Sequence, residues 1–208
     1  MRTIHTLGPV LTEVAKLPVT GLVVLDIDET ILHSGEGVGS ETWYDERIKA
    51  NLAAGMDTAA AVLESNDAWE KEQPGLAVFL TEPILLTLLQ LAEKQGVHTL
   101  GLTARRPEMA EATKTQFSRI GVELTASRWW NKNVVVSELA SYIDGVLYGG
   151  PLVDKGSALF NFFTKVGAVP TSIVFVDDKQ YHLQSMEKLC AENQIPSACF
   201  HYLRPTGK

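Results

Sequence analysis

The sequence predicts an α/β protein built on a mostly parallel sheet. Three observations carry that prediction. Short apolar, β-branched runs recur along the chain, an amphipathic helical stretch follows each, and two of the runs end abruptly in acid. Gly21 to Leu25 is apolar throughout, as a strand buried on both faces should be, and it stops at Asp26-Ile27-Asp28-Glu29-Thr30. A second unit starts at Thr81, a predicted N-cap, with Pro83 in the first turn. Leu85, Leu88, Leu89 and Ala92 share one helical face, and Gly96 ends the helix. Residues 97–102 then read as a strand leading into Thr103-Ala104-Arg105. Pro107 opens a further helix that Gly121 closes.

The third unit has a helix over about 154–166, Gly167 as its stop, and a strand over 172–176. That strand also ends in acid, at Asp177-Asp178. A helix over about 179–193 buries Leu183, Met186 and Cys190, and 198–203 forms a last strand. Between the first and second units the pattern changes. Residues 33–78 read as two helices, the first with Tyr44, Ile48 and Leu52 at i, i+4 and i+8. Gly55 separates them and Asp57 caps the second. This segment is expected to be a small insertion over the strand ends, dividing the chain into 1–32 with 79–208 and 33–78.

The bulk numbers set limits on function. At 208 residues, with 45% hydrophobic and 21% charged residues, the chain suits one domain with a modest insertion. A formal net charge of −7, with Lys and Arg scattered, argues against a nucleic-acid partner. No apolar stretch is long enough to span a bilayer, so no membrane partner is expected either. Cys190 and Cys199 are too few for a disulfide framework and read as buried thiols of a cytoplasmic protein.

In open α/β sheets, ligands bind beyond the carboxyl ends of the strands. Three predicted strands end there in Asp26/Asp28/Thr30, in Thr103, and in Asp177/Asp178, and Lys155 lies at a helix start. This set offers a carboxylate nucleophile, a second carboxylate for proton transfer, a hydroxyl donor, a fixed cation and oxygen ligands for a hard metal ion. Phosphoryl transfer needs those parts, because its catalysis is mainly positioning and charge neutralisation.

Asp26-Ile27-Asp28-Glu29-Thr30 resembles the DxDxT motif of the haloacid-dehalogenase-like (HAD) superfamily. Leu102-Thr103 resembles its second motif, Lys155 its third, and Val176-Asp177-Asp178 its fourth, in the same order along the chain. The resemblance implies a three-layer Rossmannoid core with a mostly parallel sheet, and a small helical type 1 cap at 33–78. It further implies Mg²⁺-dependent hydrolysis of a small phosphomonoester through an aspartyl-phosphate on Asp26. Asp28 would be the general acid and base, Thr103 would bond the phosphoryl oxygens, and Lys155 would balance charge. Asp26, the Asp28 carbonyl and Asp177 would hold Mg²⁺, with Asp178 as a further ligand or a partner of Lys155.

Two features depart from the family pattern. Glu29 stands where many members have glycine, and Arg105-Arg106 follow the second motif, to grip a substrate anion or to pair with local carboxylates. Thr30, Arg105, Trp43 and Tyr44 complete the candidate substrate contacts, with core packing the alternative for the two aromatics. Transfer to an acceptor other than water, and phosphate binding without turnover, are the rival functions.

Overall fold

A computed structural model describes residues 1–124 and 128–205; residues 125–127 and 206–208 of the expected core lie outside them. In chain order the elements are β1 (Arg2–Ile4), α1 (Gly8–Val14), β2 (Leu22–Leu25), β3 (Leu32–His33), α2 (Glu41–Ala53), α3 (Thr58–Glu72), β4 (Phe79–Leu80) and α4 (Ile84–Gln95). There follow β5 (His98–Thr103), α5 (Ala110–Arg119), β6 (Val134–Val135), β7 (Ser141–Ile143), β8 (Val146–Tyr148), α6 (Lys155–Val166), β9 (Ile173–Asp177), α7 (Gln180–Glu192) and β10 (Ser197–Tyr202).

Eight strands form one sheet in the order β1-β10-β9-β2-β5-β8-β7-β6. It is parallel from β1 to β8 and antiparallel through β7 and β6. Alternation along the central strands builds a core on each face. Val23, Leu25, Val174 and Val176 pack with Val10, Leu85, Leu88 and Phe117 of α1, α4 and α5. Leu22, Val24, Leu100 and Phe175 face the other way, onto Leu159, Phe162, Leu183 and Met186 of α6 and α7. The result is the helix–sheet–helix sandwich that the sequence predicts.

Several boundaries differ for local reasons. Thr81 does not cap α4; its hydroxyl donates to the Thr30 carbonyl at 2.6 Å, and Pro83 occupies the cap position. Asp57 does cap α3, accepting from the Ala60 N–H at 2.9 Å. Gly96 and Gly167 end α4 and α6 in the left-handed conformation that glycine adopts without steric cost.

Helices α2 and α3 sit between β3 and β4, which pair antiparallel as a separate two-stranded ribbon. That ribbon is the stem of the insertion, so both crossings between insertion and core lie close together. β2 and β9 are adjacent, with Leu25 beside Val176, and β5 flanks β2 on the other side. Asp26, Thr103 and Asp177 therefore emerge side by side at one edge of the sheet.

Candidate active site

The site begins with a backbone bond. The Asp26 N–H donates to the Val176 carbonyl at 2.9 Å, which fixes the residue after β2 against the end of β9. Asp26 and Asp177 are both buried, and Lys155 lies between them. Its Nζ donates to Asp26 Oδ1 at 2.5 Å and to Asp177 Oδ2 at 2.8 Å. Asp154 caps α6 by accepting from the Ser157 N–H at 2.7 Å, so the helix start carries Lys155 to the strand ends. Gly156 permits the close approach: a Cβ there would meet Ser185 Oγ at 2.6 Å and Leu189 Cδ1 at 2.9 Å.

Oxygens of Asp26, Asp177 and Asp178 all lie within 4.8 Å of one another. The remaining Asp177 oxygen accepts from the Lys179 N–H at 2.8 Å, and Lys179 Nζ stands 3.0 Å from Asp178 Oδ2. Burial and then the neighbouring acids push Asp178 up to about 9. Burial likewise pushes Asp177 up to about 7, against the pull of Lys155. Burial alone would lower Lys155, but Asp177 and Asp26 raise it above the usual lysine value. Three crowded carboxylates, two of which hold their protons well above the usual range, mark a cluster short of positive charge. A hard divalent cation takes oxygen donors of this kind, so the residues fit Mg²⁺.

Asp28 lines the cavity beside this cluster with a half-buried carboxylate. Both its oxygens are held by Arg105, whose Nε and Nη2 donate to Oδ2 and Oδ1 at 2.9 and 2.8 Å. Arg105 is 2% exposed, and its other face is occupied too. Nη1 donates to Thr113 Oγ1 at 2.9 Å and Gln116 Oε1 at 2.6 Å, and the guanidinium lies 5.2 Å from the Trp69 ring centre. Of the two roles weighed for Arg105, the structure places it in the carboxylate pair. Arg106 points instead to the insertion, pairing with Asp67 and Glu70.

Thr103 is buried at the end of β5, lines the cavity, and accepts from the Arg105 N–H at 3.1 Å. The Thr30 hydroxyl is buried, 3.5 Å from Asp26 Oδ2. Glu29 has a φ of +58°, a conformation in which glycine carries no penalty. Its N–H donates to the Leu32 carbonyl at 2.8 Å, and its side chain accepts from Arg204 Nε at 2.8 Å. Those two bonds hold the loop in a glycine-like shape with a charged residue.

The cavity over the strand ends measures about 480 Å³. Tyr44 lines it. Trp43 does not, and instead lies under the Arg47 guanidinium at 5.5 Å. Trp69, Asn66, Lys179, Tyr181 and His182 also line it. Sequence reasoning gave no cavity role to Asn66 or Lys179, although signals for them exist. Val62, Asn66 and Trp69 recur at i, i+4 and i+7 on α3, with one amide in an apolar stripe, and Lys179 directly follows the paired acids.

A family described as "Protein of unknown function (DUF2608)" matches the chain over residues 3–207. Among individual proteins, the chain is 19% identical over 197 residues to a "Putative outer membrane protein" of Chlamydia trachomatis, covering 93% of this chain and 73% of that one. It is 24% identical over 173 residues to a namesake from Chlamydia pneumoniae, covering 83% and 65%. Among solved structures, a haloacid-dehalogenase-like family hydrolase from Streptococcus pneumoniae superposes with a TM-score of 0.51 at 10% identity, over 87% of this chain and 93% of that one. CbbY from Rhodobacter sphaeroides, solved with phosphate, gives 0.52 at 12% identity over 91% and 89%. At such identities the likeness is one of fold, and that fold is HAD-like. No helix among the described residues is long and apolar enough to cross a membrane. The cytoplasmic setting expected from the sequence is at odds with the outer-membrane name those relatives carry.

Proposed function

The chain belongs to the DUF2608 family, and we propose that it hydrolyses phosphomonoesters through an aspartyl-phosphate on Asp26. One observation carries the reading: Lys155 bridges Asp26 and Asp177 at the ends of adjacent strands, under a cavity that Asp28 and Thr103 also line. An anionic nucleophile meets an anionic phosphate only where positive charge offsets the repulsion, and Lys155 supplies part of it. Asp26, Asp177 and Asp178, with the Asp28 carbonyl, would hold Mg²⁺, which supplies the remaining neutralisation of the phosphoryl oxygens when bound.

In this reading Asp26 forms a bond to phosphorus as the ester P–O bond breaks, and Asp28 gives its proton to the departing oxygen. Asp28 then takes a proton from the water that hydrolyses the aspartyl-phosphate. Each carboxylate oxygen has two lone pairs, so the two bonds from Arg105 leave one free on each oxygen of a residue that lines the cavity. Arg105 thereby sets the direction in which Asp28 acts. The Thr103 and Thr30 hydroxyls stand near enough to steady the phosphoryl oxygens and Asp26, and α2 with α3 serve as the cap.

The test is turnover of a generic aryl phosphate with Mg²⁺, with EDTA, and in Asp26→Asn. Turnover that requires Mg²⁺ and falls by at least three orders of magnitude in the variant is expected. Undiminished activity in Asp26→Asn would remove the covalent step. Adding a competing alcohol and analysing products separates hydrolysis from phosphotransfer.

A further inference from the structure

Two helical stripes of the insertion line the cavity. Tyr44 and Ile48 of α2 face it, as do Val62, Asn66 and Trp69 of α3. The α3 stripe is apolar and aromatic except at Asn66, whereas α2 adds the acids Glu41 and Asp45 beside Tyr44 and Ile48. Asn66 is 5% exposed, and its side-chain nitrogen makes no hydrogen bond among the described residues. A buried donor without a partner is costly, and half a turn of the amide about its last torsion exchanges its nitrogen and oxygen, so the wall can present this donor to an acceptor that arrives with a ligand.

Charge narrows the ligand further. Among the described residues, every cation lining the cavity is already engaged by an acid: Lys155 by Asp26 and Asp177, Arg105 by Asp28, and Lys179 by Asp178 and Glu41. Glu41 and Asp45, both on α2, also line it. A second anionic group on the substrate would thus find acids and no free cation. Burial pushes Tyr44 up to about 12, so this wall meets the ligand with a neutral phenol.

We propose that the cavity selects monoesters whose alcohol is flat and apolar, bears no second anionic group, and carries a hydrogen-bond acceptor that Asn66 reads. This rests on the aspartyl-phosphate reading and specifies its substrate class. The phosphate sits at Asp26, the ring of the alcohol packs between Tyr44 and Trp69, and the acceptor on its far side takes the Asn66 N–H. Binding sites that pair a donor with a substrate acceptor reject the analogue lacking it, because the donor is then left dry.

The experiment compares kcat/KM for 4-acetylphenyl, 4-ethylphenyl and 4-carboxyphenyl phosphates in the unaltered protein, in Asn66→Leu and in the near-isosteric Asn66→Asp. Beryllium fluoride binding, read by fluorine NMR, serves as a measure of the nucleophile that is independent of the alcohol. Dividing each variant's acetyl-to-ethyl ratio by that of the unaltered protein cancels the difference in leaving-group reactivity. A fall of roughly tenfold in that quotient is expected for both variants, with fluoride binding unchanged. Asp45→Asn is expected to raise the carboxyl-to-acetyl ratio a few-fold.

An unchanged quotient with normal fluoride binding would overturn this selection and leave the aspartyl-phosphate standing. So would preference for the carboxylated ester, or fluoride binding with no turnover of any of the three. Loss of both turnover and fluoride binding in the unaltered protein would overturn the two readings together.

Discussion

At the scale of single residues, the site is organised by cations placed where water cannot reach them. Lys155 is 3% exposed and holds two acids from adjacent strands. Removing one member of a buried ion cluster leaves the rest uncompensated, which costs about 3–5 kcal/mol, far more than an exposed pair is worth. Lys155→Met keeps the length and loses the charge. In EDTA it is expected to lower the unfolding free energy by about 3 kcal/mol or more, measured by urea titration. Mg²⁺ should recover part of that loss without restoring turnover. Equal stability of the variant and the unaltered protein in EDTA would mean that Lys155 does not hold the cluster together.

At the scale of elements, the candidate acid and the insertion share one buried polar chain. Arg105 binds Asp28 and Gln116, and Gln116 Nε2 donates to the Gln73 carbonyl and to Gln73 Oε1 at 3.0 and 3.1 Å. Gln73 Nε2 in turn donates to the Gly39 carbonyl at 3.2 Å. Gly39 precedes α2 and Gln73 follows α3, so the chain ties both ends of the insertion to β5 and α5. Gly39 has a φ of +82°, and a Cβ there would meet Leu76 Cδ1 at 2.3 Å, so the crossing is shaped for glycine. Gln116→Leu would leave the Gln73 side chain and one Arg105 nitrogen short of partners inside the protein. A loss of about 2–6 kcal/mol is expected, at 1–3 kcal/mol for each of the two orphaned groups. Faster proteolytic cleavage within 39–76 than elsewhere would show that the loss falls on the insertion.

Little of this network was legible in the sequence. Strands β2, β5 and β9 and the helices around them announced themselves by apolar runs and helical spacing. The residues that end those strands are local features, so Asp26, Asp28, Thr103 and Asp177 could be picked out as candidates before any fold was known, and Lys155, at a helix start, only by its order and spacing among them. The partners of Arg105 could not, because Asp28 and Gln116 lie 77 and 11 residues away and only tertiary packing joins them. β1 has three residues and exists because β10 pairs with it. The antiparallel edge was missed although Asp144-Gly145 between β7 and β8 is a strong hairpin signal, with φ of +48° and +94°. Its strands of two or three residues are too short for periodicity to register.

At the scale of the whole molecule, the chain concentrates acid at the functional edge of its sheet, and this ties stability to pH and metal. Unfolded, Asp177 and Asp178 lose their protons near 4; folded, they do so near 7 and 9. Between those values the folded chain binds more protons than the unfolded one, so stability falls as pH rises. His182 works the other way: burial holds it down to about 2, and it destabilises the fold only as pH drops below about 6.5. Above that point the two acids alone among these three groups set the slope. Mg²⁺ binds the deprotonated carboxylates, so it should remove the slope and not merely add a constant. The gap in Tm between Mg²⁺ and EDTA is therefore expected to widen steadily from pH 6.5 to pH 9. Asp178→Asn should flatten the upper half of that rise, since the group with the higher value is then gone. A gap that stays constant with pH would mean that the ion binds away from Asp177 and Asp178, and the assignment of the metal site would fall with it.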